Sequence, residues 1–206
     1  MKLYLSPGAC SLAPHILLRE LGIGFEPVLV DLATKRTGDG RDFRTVNPLG
    51  YVPALELEDG QVLTEVLAIL LFLAERHPQA EMVPPPGSVE RARLYGWLSF
   101  VATELHKLVG ALFAPNVTEA TRVAVIERAR PRLAHVDRAL EGRDYLIGER
   151  FGPADAYLFT VSRWLGYLKI DTADFPNLRA HQERVRARPA VSEALRVETE
   201  LKKAAG

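Results

Sequence analysis

Through the first eighty residues the apolar positions switch between the two-residue period of a strand and the 3.6-residue period of a helix. Residues 2–6 alternate as a short strand and run into the turn Pro7-Gly8-Ala9. Over 11–20, Ile16, Leu17 and Leu21 keep helical spacing, and Gly22 ends the helix. Residues 25–30 alternate as a second strand, and 39–46 read as a weak helix or turn. Segments 52–57 and 62–63 flank Glu58-Asp59-Gly60, and Asp-Gly is a strong hairpin signal. Residues 65–75 are mostly apolar and read as a buried helix. This order predicts a mixed sheet with helices on its faces.

Residues 77–89 hold Pro78, Pro84, Pro85, Pro86 and Gly87, a composition that resists helix and sheet alike and reads as a linker. Beyond it no strand pattern appears, and helical periodicity covers 89–113, 118–140, 153–166, 177–186 and 190–203. Pro131 is expected to kink or divide the second of these. The predicted organisation is an α/β domain at 1–80, a linker at 81–88 and an all-helical domain at 89–206. In the first helix after the linker, Leu94, Leu98, Val101, Leu105, Leu108 and Leu112 form a core stripe. Beside it Ser99, Thr103 and His106 recur at i, i+4, i+7. Such a stripe suits the wall of a cleft, and equally a plain solvated face.

The composition narrows the function classes. Of 206 residues 48% are hydrophobic and 25% charged, which is ordinary for a globular chain. Lys+Arg and Asp+Glu balance at 26 each with no basic block, so neither nucleic acid nor an anionic membrane is expected as a partner. The longest apolar run, 66–74, is far short of the roughly 20 residues of a membrane span. The opening Met1-Lys2-Leu3-Tyr4-Leu5-Ser6 carries no signal-peptide core, so a cytoplasmic location is expected. Cys10 is the one cysteine, and the histidines at 15, 77, 106, 135 and 181 lack ligand spacing, so no metal is expected.

Cys10 sits where the first strand turns into the first helix. The unpaired N–H groups and dipole of a helix start favour negative charge, so a thiolate of depressed pKa is one reading. An inert buried thiol is the other. Pro14 fits the first turn of that helix. Val52-Pro53 opens the third strand with a residue that cannot donate to a ladder. Glu65, at the mouth of the next helix, is either a simple dipole partner or a carboxylate that receives a ligand's ammonium group. In Phe151-Gly152-Pro153-Ala154-Asp155-Ala156-Tyr157, Gly152 reads as a helix cap, with Asp155 reaching back to its amide in a structural role.

Taken together these segments resemble the beta class of bacterial glutathione transferases over essentially the whole chain. The resemblance is carried by Lys2-Leu3-Tyr4-Leu5-Ser6-Pro7-Gly8-Ala9-Cys10-Ser11-Leu12, by Val46-Asn47-Pro48-Leu49-Gly50-Tyr51-Val52-Pro53-Ala54-Leu55 and by Leu63-Thr64-Glu65. Thr103-Glu104-Leu105-His106-Lys107 and Ala154-Asp155-Ala156-Tyr157-Leu158-Phe159-Thr160 extend it into the helical half. The implied fold is a thioredoxin-like N-terminal domain followed by an all-helical C-terminal domain.

The resemblance also implies roles. Cys10 would lie beside the glutathione sulfur, with His106 reaching it from the helical domain. Val52 would pair its backbone with the cysteinyl moiety, presented by a cis bond to Pro53. Glu65 and the helix start at Val66 would bind the γ-glutamyl end, and Lys35 the glycine carboxylate. Ser99 and Thr103 belong to the same set. Glu104 resembles an acidic residue offered across a homodimer interface. Three positions depart from the pattern: Val66 stands for Ser or Gly, Ser99 for Asn, and Gly152 for a Ser or Thr cap. Losing a hydroxyl contact at Val66 should cost about 1 kcal/mol of glutathione binding.

The implied activity is transfer of glutathione to small hydrophobic electrophiles, held by a pocket drawing on Phe113, Trp164 and Tyr167. Thiol–disulfide exchange through Cys10 would be a side activity. The alternatives are a glutathione-dependent isomerase or dehalogenase, and a non-enzymatic interaction protein on the same fold.

Overall fold

A computed structural model of the chain describes residues 1–204. Two compact units result: Met1–Glu81 joined by the chain from Ala187 onward, and Met82–Arg186. The first change of unit falls inside the proline-rich linker.

The first unit is built on strands β1 (Lys2–Leu5), β2 (Glu26–Asp31), β3 (Arg36–Thr37), β4 (Ala54–Glu56) and β5 (Val62–Thr64). Their order across the sheet is β3-β2-β1-β4-β5. β1 pairs parallel with β2, and every other neighbouring pair is antiparallel. Leu3, Tyr4 and Leu5 are all buried, so the central strand is covered on both faces. Helices α1 (Leu12–Glu20) and α2 (Val66–Glu75) pack against each other. Elsewhere in the unit Tyr4, Val30, Phe43, Val52 and Ala54 form a core cluster that Ala9, Val28 and Val46 join. That cluster anchors the two loops that carry Cys10 and Val52. Strand β3 has no signal in the sequence, because two residues are too few to show a period.

The second unit holds α3 (Val89–Phe100), a π-helical segment at Val101–His106, α4 (Lys107–Gly110), α5 (Glu119–Ala139), α6 (Pro153–Tyr167) and α7 (Pro176–Arg186). Two expectations need correction here. Helix α5 runs through Pro131 without being divided there. The helix predicted over 89–113 is interrupted by the π segment, whose extra residue shifts everything after it by about 100° around the axis. Leu94, Leu98, Val101, Leu105 and Leu112 are buried as predicted, but Val109 takes the core position expected of Leu108, which is only half-buried.

Helix α8 (Pro189–Ala204) falls in the first compact unit, apart from the other helices that follow the linker. α8 packs against α1, with Val191 and Ala194 fully buried. Arg188, just before it, clamps the Glu20 carboxylate at 2.6 and 2.8 Å.

Gly152 caps α6 as predicted, and Asp155 accepts its N–H at 3.0 Å. A Cβ built on Gly152 would lie 3.2 Å from the Met82 carbonyl oxygen, so the backbone there has no comfortable room for a serine or threonine cap. Among the described residues no helix is long and apolar enough to cross a membrane.

Candidate active site

The turn before α1 is shaped by Gly8, whose φ of +81° is a conformation that side-chain-bearing residues rarely adopt. Ala9 N–H donates to the Ser6 carbonyl at 3.0 Å, and Ser11 Oγ accepts from Ser6 N–H at 3.1 Å. This places Cys10 immediately before Ser11, the N-cap of α1. Its Sγ donates to the Val52 carbonyl at 3.2 Å, and the Val52–Pro53 bond is cis. The first-strand turn and the third-strand entrance, both singled out in the sequence, therefore meet.

The thiol is not the depressed one the helix start suggests. Burial pushes Cys10 up to about 12, against the pull of its own N–H and that of Ser11. The Glu65 carboxylate adds to the rise. The helix-start effect is real but smaller than desolvation, so at neutral pH Cys10 is a thiol with a hydrogen to donate.

Glu65 stands at the N-cap of α2 with φ 68° and ψ 124°, yet its side chain makes no capping hydrogen bond. A non-glycine residue held there costs of order 1–3 kcal/mol, a strain typical of functional sites. Its exposed carboxylate has no hydrogen-bond partner among the described residues, so capping does not explain it. Val66 begins the helix with its side chain buried, and the N–H groups of that first turn have no partner within the helix. Lys35, also at positive φ (58°), donates from Nζ to the Gly50 carbonyl at 3.1 Å and lies 5.5 Å from the centre of the exposed Tyr51 ring.

Two organisers of this region escaped the sequence reading. Asn47, buried, donates to the Tyr51 carbonyl at 2.7 Å and accepts from Leu49 N–H at 3.2 Å, so one side chain shapes the 47–51 loop. It stood in the quoted motif, but an asparagine before a proline reads as an ordinary turn residue. Glu198 of α8, 4% exposed, accepts from Gly8 N–H at 2.8 Å and from His15 Nδ1 at 3.3 Å. Arg19 Nε donates to His15 Nε2 at 2.9 Å, so the ring proton must sit on Nδ1 and face Glu198. A partner 190 positions away leaves no local signal.

In the second unit the expected polar stripe divides. Ser99 and Thr103 are exposed, and the Thr103 hydroxyl donates back to the Ser99 carbonyl at 3.0 Å. Glu104 is half-buried and held by Arg132 of α5, both Nε and Nη2 lying 2.7 Å from Oε2. His106, the last residue of the π segment, turns toward α6. Its Nδ1 is 2.6 Å from the Tyr157 hydroxyl, and its ring meets the edge of Trp164 with centroids 4.9 Å apart. Trp164 in turn meets Phe113 at 5.5 Å. Burial pushes His106 down to about 4, and neighbouring Lys107 pushes the same way, so the imidazole is neutral at pH 7. Tyr167 is 63% exposed and Phe113 53% exposed, so both present apolar surface rather than forming core. The Tyr167 hydroxyl accepts from Arg163 Nη2 at 3.1 Å.

Comparison with known proteins agrees with this architecture. The glutathione S-transferase N-terminal domain model matches residues 8–76 and the C-terminal domain model residues 95–189. Glutathione S-transferase GstA of Escherichia coli O157:H7 is 43% identical over 198 residues, spanning 96% of this chain and 98% of that protein. Among solved structures, a sphingomonad glutathione S-transferase complexed with glutathione superposes with a TM-score of 0.92 at 48% identity, covering 97% of this chain and 99% of that one. The beta-class enzyme of Sphingomonas chungbukensis does so at 0.92 and 45%, covering 96% and 98%. The chain belongs to the glutathione S-transferase family. Within it, the chain is an enzyme of the bacterial beta class, with glutathione as its co-substrate.

Proposed function

We propose that Cys10, Val52, Pro53, Glu65, Val66 and Lys35 bind glutathione, and that His106 assists at its sulfur for attack on small hydrophobic electrophiles. One observation carries this reading: the Cys10 thiol donates to the Val52 carbonyl beside a cis Val52–Pro53 bond. That contact brings residues of two separate motifs to one spot, with Lys35 against the same loop through Gly50. Glu65 adds an exposed carboxylate on a strained backbone, suited to the γ-glutamyl ammonium group. The N–H groups at the start of α2 suit the γ-glutamyl carboxylate, with no hydroxyl from Val66 to help. Lys35 suits the glycine carboxylate. Ser99 and Thr103 stay in the set as exposed polar side chains.

The chemistry follows from protonation states. Cys10 holds its hydrogen at neutral pH, and an anionic glutathione sulfur is a stronger acceptor than the Val52 carbonyl, so it draws that hydrogen to itself. His106, neutral, supplies a second donor. Two donors to one sulfur favour its thiolate, which attacks the electrophilic carbon and expels the leaving group with its electron pair. The aromatic surface of Phe113, Trp164 and Tyr167 suits the apolar part of that electrophile. A Cys10 that remains a thiol makes disulfide exchange through it slow, so conjugation is the reaction we assign. We assign the protein to the cytoplasm and to a two-fold homodimer, with Glu104 offered across the interface once it exchanges Arg132 for the partner's ligand.

Glu65 gives the test. Glu65→Gln should raise the glutathione dissociation constant about tenfold, as for a lost charged hydrogen bond. Glu65→Gly should lose the same affinity while relieving the backbone and stabilising the chain by about 1 kcal/mol. Unchanged affinity by calorimetry in both variants would remove Glu65 from the site.

A further inference from the structure

The contact between His106 and Tyr157 lies wholly inside the second unit and joins residues 51 positions apart. At 2.6 Å the pair shares one hydrogen, and two assignments satisfy the distance: the phenol donates to Nδ1, or Nδ1–H donates to the phenol oxygen. A phenol O–H is a stronger acid than a neutral imidazole N–H, and an imidazole nitrogen is a stronger base than a phenol oxygen. The first assignment therefore prevails.

We propose that Tyr157 is a positioning residue that fixes His106 in its Nε2–H tautomer, so that the ring presents an N–H donor, and not a basic nitrogen, to the glutathione sulfur. This rests on the reading of His106 given above.

Three features of the surroundings support it. The Tyr157 side chain is buried on α6 and keeps little freedom to leave the contact. The imidazole is boxed by ring edges, Trp164 at 4.9 Å and Tyr157 at 5.7 Å, so it cannot easily flip to exchange its nitrogens. Gly110, one turn further along, would place a Cβ 3.6 Å from both His106 Cδ2 and Trp164 Cζ3, so even an alanine there would sit in contact with both rings. Among the described residues Nε2 makes no hydrogen bond, which leaves its hydrogen for a ligand. In the doubly protonated ring the contact would reverse, with Nδ1–H donating to the phenol oxygen, and burial keeps that form scarce at neutral pH. The chemical consequence is direct. A lone pair at Nε2 would repel a thiolate, whereas an N–H binds it and leaves it anionic.

The test uses Tyr157→Phe, which keeps the ring and removes the hydroxyl. Histidine 15N spectra of the full chain at pH 7, assigned with His106→Asn, report the tautomer directly. The wild type should show a protonated Nε2 and a hydrogen-bonded, unprotonated Nδ1. In Tyr157→Phe the Nδ1 signal should lose the hydrogen-bonded position or split between tautomers. The turnover number with an activated aryl halide should fall about fivefold in that variant, with glutathione affinity held within twofold, as for one lost hydrogen bond. A wild-type ring protonated on Nδ1 overturns the proposal. So does a Tyr157→Phe variant with unchanged tautomer and unchanged turnover while His106→Asn is impaired. If His106→Asn turns over normally, the role of His106 itself falls, a result distinct from either spectrum.

Discussion

In the first unit the reactive position is built from main chain. Cys10 is placed by a glycine turn, meets a carbonyl beside a cis proline, and stands near a strained backbone at Glu65. In the second unit the reactive position is built from side chains: His106 is held by a tyrosine hydroxyl and a tryptophan edge, on a π segment that rotates it toward α6. Yet the two groups respond alike. Desolvation opposes charge on both, lifting the acid Cys10 to about 12 and lowering the base His106 to about 4. One cause with opposite signs makes both neutral at pH 7. A main-chain site can feel a helix start and still be dominated by burial.

Alkylation of Cys10 against pH tests that comparison most severely. A thiol raised to about 12 holds roughly a thousandfold less thiolate at neutral pH than a free cysteine. The rate should climb steadily through pH 9 and beyond without a plateau. A midpoint near or below that of a free cysteine would show that the N–H groups of Cys10 and Ser11 outweigh burial, and would restore the thiolate reading.

Glu198→Ala tests whether the main-chain site depends on a distant side chain after all. It leaves the buried His15 Nδ1 hydrogen without its acceptor and removes one acceptor from the half-buried Gly8 N–H, at a cost of about 2–3 kcal/mol. Urea midpoints should drop accordingly, and Glu198→Gln should recover part of the loss by accepting one of the two bonds. Equal stability for all three proteins would mean that the turn before Cys10 holds itself.

The smallest effect concerns His106. Its folded-state value lies below the unfolded one near 6.5, so between about pH 4 and 6.5 the unfolded chain binds more protons. Stability from this group is complete above pH 6.5 and is lost as the pH falls toward 4. The loss should be on the order of 1–2 kcal/mol after allowing for partial exposure. His106→Asn should flatten that part of the stability profile. An identical profile in the variant would mean that burial does not hold the imidazole neutral.

Legibility in the sequence followed the same division. Gly8, the Val52-Pro53 pair and the Asp155 cap are local signals, because backbone geometry is restricted residue by residue, and each lies where the pattern indicated. The polar stripe was only partly legible. Periodicity assumes an unbroken α-helix, and the π insertion at Val101–His106 moved Val109 into the core and separated His106 from Ser99 and Thr103. Glu104 read as a projecting acid, and Arg132, 28 positions on, answers it within the chain.

By itself, the sequence determined the order of elements, the sheet-plus-helices division, the family and the positions where the backbone is unusual. All of these depend on steric preferences and apolar periods that act over a few residues. Tertiary structure alone decided that α8 returns to the first unit, that Glu198 supports the Cys10 turn, that Tyr157 meets His106, and that burial leaves both reactive groups uncharged. Those outcomes depend on which distant surfaces exclude water together, and desolvation is a property of the assembled interior that no local pattern contains.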